Sequence, residues 1–199
     1  MKACWRLELE MNVRLVRLFG WFGIAAPVIG VLGTVLTVTV APSFSWGGNS
    51  LADLGLVEPA SILFLATLRA TSGAMLAFSA GVYEWAKDDK VGQAGFVLNF
   101  AAAALLFLVS MPEISGVQGL LATAFFACLP ISLLVLAYYM REKEMWTFSY
   151  LSVACGFVGL AVWAPQWGGH VIQEAVSFVV CGIWSVALGW WMTRREEQF

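Results

Sequence analysis

The chain has 199 residues, 60% of them hydrophobic and 12% charged, with a formal net charge of -2 and a mean hydropathy of +0.81. A soluble domain carries roughly 25% charged residues and about 45–50% apolar ones. So little charge on so apolar a chain excludes a disordered tail, a disulfide scaffold, a collagen-like repeat and a water-soluble enzyme, and it indicates an integral membrane protein.

Six apolar segments follow one another: Leu18 to Ala41, Pro59 to Trp85, Val91 to Met111, Val117 to Met140, Trp146 to Ala164, and Val171 to Met192. Each is close to the about 20 apolar residues that a spanning helix needs. They are continuous runs rich in Leu, Ala, Val and Gly, unlike the alternating strands of about 10 residues that build a membrane barrel. The expected fold is all-α: one six-transmembrane-helix bundle occupying residues 1–199, with no soluble domain. The first segment is as long as a full span, whereas a cleavable signal core has roughly 7–15 residues. It therefore reads as an uncleaved helix. The residues before Met11 read either as a short interfacial extension or as sequence upstream of a start at Met11.

Basic residues give the threading. Lys2, Arg6, Arg14 and Arg17 precede the first segment. Lys87 and Lys90 lie between segments two and three, Arg141 and Lys143 between four and five, and Arg194 and Arg195 after six. Six crossings bring all of these to one side. The positive-inside rule makes that side cytoplasmic and predicts a cell-membrane protein with both termini inside. Trp46, Trp163 and Trp167 then form an outer aromatic belt and Trp5, Trp85, Trp146, Trp190 and Trp191 an inner one, while Trp184 lies mid-helix and packs. Cys4, Cys128, Cys155 and Cys181 are dispersed, suggesting neither a disulfide nor a metal site. The cytoplasmic turns, Lys87-Asp88-Asp89-Lys90 and Arg141-Glu142-Lys143-Glu144, read as solvated, and nothing marks a nucleotide or nucleic-acid site.

The outer connections carry more chemistry. The first runs from Pro42 to Gly55, the second holds Pro112 and Glu113, and the third runs from Pro165 to His170. Two share a pattern, Trp-Gly-Gly-polar with an acid seven residues after the Trp: Trp46 with Asp53, and Trp167 with Glu174. Internal duplication and chance both account for it. Ser50 and Asp53 have capping-box spacing, which starts a helix by satisfying orphan N–H groups. Glu58-Pro59 reads as a helix start, with Pro in the first helical position.

Phe44-Ser45-Trp46 followed by Asn49-Ser50-Leu51-Ala52-Asp53-Leu54-Gly55 resembles the signature loop of the prokaryotic domain-of-unknown-function family numbered 998. The order of parts is similar along nearly the whole chain: Pro27 in the first helix, this loop, the Pro112-Glu113 turn, and Glu174 opening the sixth helix. The family pattern has a Phe-Asn pair where Phe64 is followed by Leu65, and often a His where Gln118 is nearest. The resemblance implies a six-helix membrane protein and no established activity.

Arg69 is the sharpest single signal. It lies ten residues after Pro59, which at about 1.5 Å per residue places it near the middle of a hydrocarbon core roughly 30 Å thick. An intramembrane Arg is a functional-site hypothesis by default. Its helical neighbours Ser72, Gly73 and Ala77 are small, which predicts that it faces the bundle. Side chains lean toward a helix's N-terminus, so it should reach outward to Asp53, Glu113 and Glu174. A structural ion pair and a ligand-binding role both fit. His170 and Glu174 share a helical face at i and i+4, but a lone His without a metal-ligand motif implies no metal site. A triad of Ser50, His170 and an acid lacks a nucleophile elbow. Asn99 reads as glue between helices, and Gly73, Ala77 and Gly81, with Gly156 and Gly159, read as packing stripes.

The expected site is a polar cluster in the outer half: Asn49, Ser50, Asp53, Arg69, Glu113, Gln118, His170 and Glu174. It fits three classes. The first is binding of a lipid headgroup or small amphiphile. The second is a structural subunit of a larger membrane complex or a homo-oligomer. The third is a membrane-embedded lipid enzyme or transporter. Membrane lipids are the expected partners; no cofactor and no nucleic acid are implied.

Overall fold

The computed structural model describes residues 2–111, 116–164 and 170–194, with side chains from residue 13 onward. All regular structure among them is helical: α1 (Lys2–Thr39), a short 3-10 helix (Leu51–Leu56), α2 (Ala60–Ala86), α3 (Lys90–Val109), α4 (Gln118–Glu142), α5 (Trp146–Ala161) and α6 (Val171–Arg194). Five are long and apolar enough to cross a membrane: Val13–Thr39 of α1, and the whole of α2, α3, α4 and α6. The multi-pass helical character read from composition is therefore present. α5 has 16 residues, about 24 Å of helix, and stops short of the predicted Ala164. α1 begins well before the apolar run at Leu18, so the segment ahead of that run is helical too.

Each helix packs on the next in sequence, and α6 closes the ring on α1. Two prolines sit inside helices, Pro27 in α1 and Pro130 in α4. A proline ring inside a helix crowds the preceding turn and frees a carbonyl. Here the neighbouring helix gives way. A Cβ on Gly182 of α6 would come 2.8 Å from Pro27 Cβ, and one on Gly156 of α5 would come 2.9 Å from the Pro130 carbonyl oxygen. Glycine thus lets α6 and α5 lie directly against the two kink-prone turns. For Gly156 and Gly159 this matches the packing role expected of them. Gly81 also packs, against Phe19, but Gly73 faces open space, so the stripe expected along α2 is broken.

One end of the ring carries the described basic residues other than Arg69. Its aromatic rings make a chain from α2 to α4, α5 and α6: Trp85 stands edge-on to Tyr139 at 4.9 Å and to Trp191 at 5.7 Å, and Phe148 meets Trp191 at 5.8 Å. Arg194 lies over Trp190 at 4.1 Å and Arg141 over Trp146 at 5.5 Å, stacking that holds a cation where apolar and polar surroundings meet. Lys87 bonds Glu84 at 2.8 Å, which raises its pKa above the ordinary lysine value. We call this the basic end. The opposite end holds residues 42–59 and is called the cap end.

Between the ends, buried polar side chains pair across helices. Ser79 donates to Asn99 at 2.7 Å and Asn99 donates to Ser132 at 3.5 Å, joining α2, α3 and α4. Trp184, 1% exposed, donates to Ser152 at 2.6 Å, joining α6 to α5. Both agree with the sequence reading of Asn99 and Trp184. In apolar surroundings such groups must find partners, and interhelical pairs supply them.

Candidate functional site: a polar cap over an apolar cavity

After α1 the chain turns at Ala41 and folds over the cap end. Asn49 Oδ1 accepts from Ser45 N at 2.8 Å, and its amide donates to Asp53 at 3.3 Å. Ser50 caps the 3-10 helix as its spacing predicted: its Oγ accepts from Ala52 N at 3.0 Å, and Asp53 accepts from Ser50 N at 2.8 Å. The Leu51 N–H between them is taken by Glu174 of α6 at 2.6 Å. Glu174 is 5% exposed, and the Ser50 hydroxyl also bonds its carboxylate. Val171 N donates to the Asn49 carbonyl at 3.3 Å. Three successive backbone N–H groups are thereby satisfied by three different side chains, and the cap is tied to the first turn of α6. The two acids that matched in the sequence pattern, Asp53 and Glu174, accept from the adjacent Ser50 and Leu51 N–H groups of one loop. Trp167 to Gly169 lie outside the described residues.

The other predicted members stand elsewhere. Arg69 is exposed, not turned into the bundle. It does reach toward the cap end, where its guanidinium donates to the Ser110 carbonyl at 3.1 Å, in the turn that ends α3. Along the bundle it stands nearer the cap end than the reckoning from Pro59 places it. Arg69 is seventeen residues before Ala86, about 26 Å of rise, which is level with the last turns of α3. The reckoning from Pro59 fails because the first turns of α2 project past α3. There Ala60 and Phe64 are buried with Ala41 and Leu54 under the cap. Gln118 starts α4 and donates to the Val109 carbonyl at 3.1 Å and the Met111 carbonyl at 3.5 Å. Arg69 and Gln118 thus both serve the orphan carbonyls of the α3 C-terminus. His170 stacks on Trp163 at 6.1 Å, and Glu113 lies outside the described residues. The described members of the predicted cluster fall into two groups, the Asn49–Ser50–Asp53–Glu174 latch and the Arg69–Gln118 pair at the end of α3, with His170 beside Trp163.

Beneath the cap is a cavity of about 210 Å³. Its roof is Trp46, Leu51, Ala52 and Glu174, and its floor reaches Thr71 and Phe178. Phe64, Leu106, Phe125 and Phe126 form the inner wall. Val31 and Val35 of α1 and Val179 of α6 both line it and are exposed, so its mouth opens sideways between α1 and α6. Among the described residues that line it, Glu174 is the one ionisable group.

Sequence reading missed this space, because it is shaped by small residues spread over four elements: Gly30, Ala52, Ala122 and Ala175. It also missed Thr71. That hydroxyl is 1% exposed and has no hydrogen-bond partner, whereas Thr67, one turn earlier, bonds the Leu63 carbonyl at 2.8 Å. A Thr in the middle of an apolar helix gives no signal of this. Compared with family models, with curated proteins and with solved structures, the chain matches none.

Proposed function

We propose that the chain is a six-crossing cell-membrane protein, with both termini cytoplasmic, that binds the apolar part of an amphiphile in the cavity under its cap. The observation that carries this is the cavity: walled by apolar side chains, roofed by a tied-down polar loop, and open sideways where lipid chains would lie. Ligand sites are concave and mostly apolar with few polar groups. The cap's own polar groups satisfy one another, so the reading shifts from the polar cluster to the space below it. α5 serves as the sixth crossing, since it packs along α4 and α6. Gathering of the described basic residues other than Arg69 at one end supports the orientation. Kinship with the family numbered 998 rests on the loop from Phe44 to Gly55.

The test is lipid analysis of protein purified in mild detergent. Wild type should carry a stoichiometric amphiphile. Ala175→Phe, which fills the cavity from α6, should carry about tenfold less or lower, with helical content unchanged. Ala52→Phe fills it from the roof and should do the same. Equal retention by wild type and both variants would overturn the reading.

A further inference from the structure

The Thr71 hydroxyl is the one described buried side-chain oxygen or nitrogen without a hydrogen-bond partner. A buried hydroxyl left unpaired is unfavourable, and native structures rarely leave one without cause. A threonine in a helix usually turns its hydroxyl back to a carbonyl in the preceding turn. Thr37, Thr67 and Thr123 all do so, at 2.7–2.9 Å. Thr71 does not. It stands at the cavity floor near Gly30 of α1, where a Cβ on that glycine would come within 3.3 Å of its Oγ1 and would also strike the tip of the Phe178 ring. A bulkier residue at position 30 would crowd that hydroxyl.

The roof provides the second polar group. A carboxylate has about four lone-pair sites, and at Glu174 the Leu51 N–H and the Ser50 hydroxyl account for two. Glu174 lies one helical turn above Phe178 on α6, a rise of about 6 Å. The cavity therefore offers an acceptor at its roof and a hydroxyl at its floor, with apolar wall between. Lys, Arg and His are absent from its described lining, and Arg69 points away to Ser110. A phosphate or carboxylate headgroup would meet an acid there and no cation.

We propose that the occupant is an uncharged lipid of the monoacylglycerol class. Its head hydroxyl donates to Glu174, its ester carbonyl accepts from Thr71, and its chain leaves between α1 and α6. This rests on the cavity being the binding site proposed above. A smaller cavity of about 30 Å³, lined by Thr71 itself with Asn99 and Ser185, is large enough for a water. A hydroxyl that served only such a water would not affect lipid binding.

The experiment is competition binding of radiolabelled 1-oleoylglycerol to the full chain in nanodiscs. Competitors are oleate, 1-oleoyl-lysophosphatidate and 1-octadecene. Both anionic lipids should compete about tenfold more weakly than unlabelled 1-oleoylglycerol. Thr71→Val keeps the shape and removes the hydroxyl. It should weaken 1-oleoylglycerol about fivefold to tenfold and leave octadecene unchanged, while Thr71→Ser restores binding. The lipid-free Thr71→Val protein should melt no lower than wild type, because the group removed is unpaired there. Equal or tighter binding of either anionic lipid overturns the proposal, and so does a Thr71→Val protein that binds 1-oleoylglycerol as wild type does. Binding of no probe, or equal binding in Ala175→Phe, overturns the cavity reading and this proposal with it.

Discussion

The contact between α1 and α6 changes character from one end of the bundle to the other. At the basic end the backbones touch: a Cβ on Gly189 would lie 2.5 Å from the Gly20 carbonyl oxygen, and one on Gly20 would lie 2.7 Å from that of Gly189. Midway, Gly182 meets the ring of Pro27. Nearer the cap, Gly30 meets the ring of Phe178, and beyond it the cavity separates Thr34 from Ala175. The spacer thus grows from nothing, to a proline ring, to a phenyl ring, to open space roofed by a loop. Leu188 and Met192 at the tight end are fully buried, while Val31 and Val35 at the splayed end are exposed. Two similar apolar helices can therefore make a sealed seam and a lateral opening along one interface, according to where glycine falls and what it faces.

The seam should be the most sensitive part. Gly189→Val places a branched side chain against α1 backbone, which cannot rotate away, so the helices must part. We expect a loss of about 3 kcal/mol or more, read as a lower denaturation midpoint in detergent. Gly73→Val, on the same kind of helix but facing open space, should change little. A Gly189→Val protein as stable as wild type would mean that the two ends do not differ as described.

The same contrast explains what could be read from sequence. Helix positions were legible because about 20 apolar residues in a row have one physical solution in a membrane. The Ser50–Asp53 cap was legible because capping is local chemistry at fixed spacing. Glu174 was placed in the right cluster for the same reason, as the first acid of α6. Arg69 was misjudged because depth and facing depend on how far α2 overhangs α3, a tertiary fact. The cavity and Thr71 were invisible because a space, or a missing partner, leaves no trace in the identity of any single residue.

The latch should come next in effect. Glu174→Ala removes the acceptor of the Leu51 N–H and leaves the Val171 N–H on the Asn49 carbonyl as the remaining described backbone tie between roof and α6. Leaving a buried donor unsatisfied costs about 1–3 kcal/mol. This cost should fall locally on the cap, not on the whole bundle. Hydrogen exchange at Leu51 and Ala52 should quicken about thirtyfold, the equivalent of about 2 kcal/mol. Exchange in the basic-end turns of α2, α4 and α6 should not change. Uniform acceleration along the chain would show that the cap and the seam are one cooperative unit.

The smallest effect should belong to the residue that stood out most in the sequence. Arg69 is exposed and bonds the Ser110 carbonyl, where the α3 dipole presents partial negative charge. A cation at such a terminus contributes about 0.3–1 kcal/mol when exposed. Gln118 already serves the Val109 and Met111 carbonyls beside it. Arg69→Ala should therefore lower stability by no more than about 1 kcal/mol, with the loss seen as faster exchange at the end of α3. Lipid retention should match wild type, because Arg69 does not line the cavity. Its removal separates the two halves of the originally single cluster. If Arg69→Ala releases the bound amphiphile, the end of α3 and the cap cavity form one site; if it frays only α3, they are two.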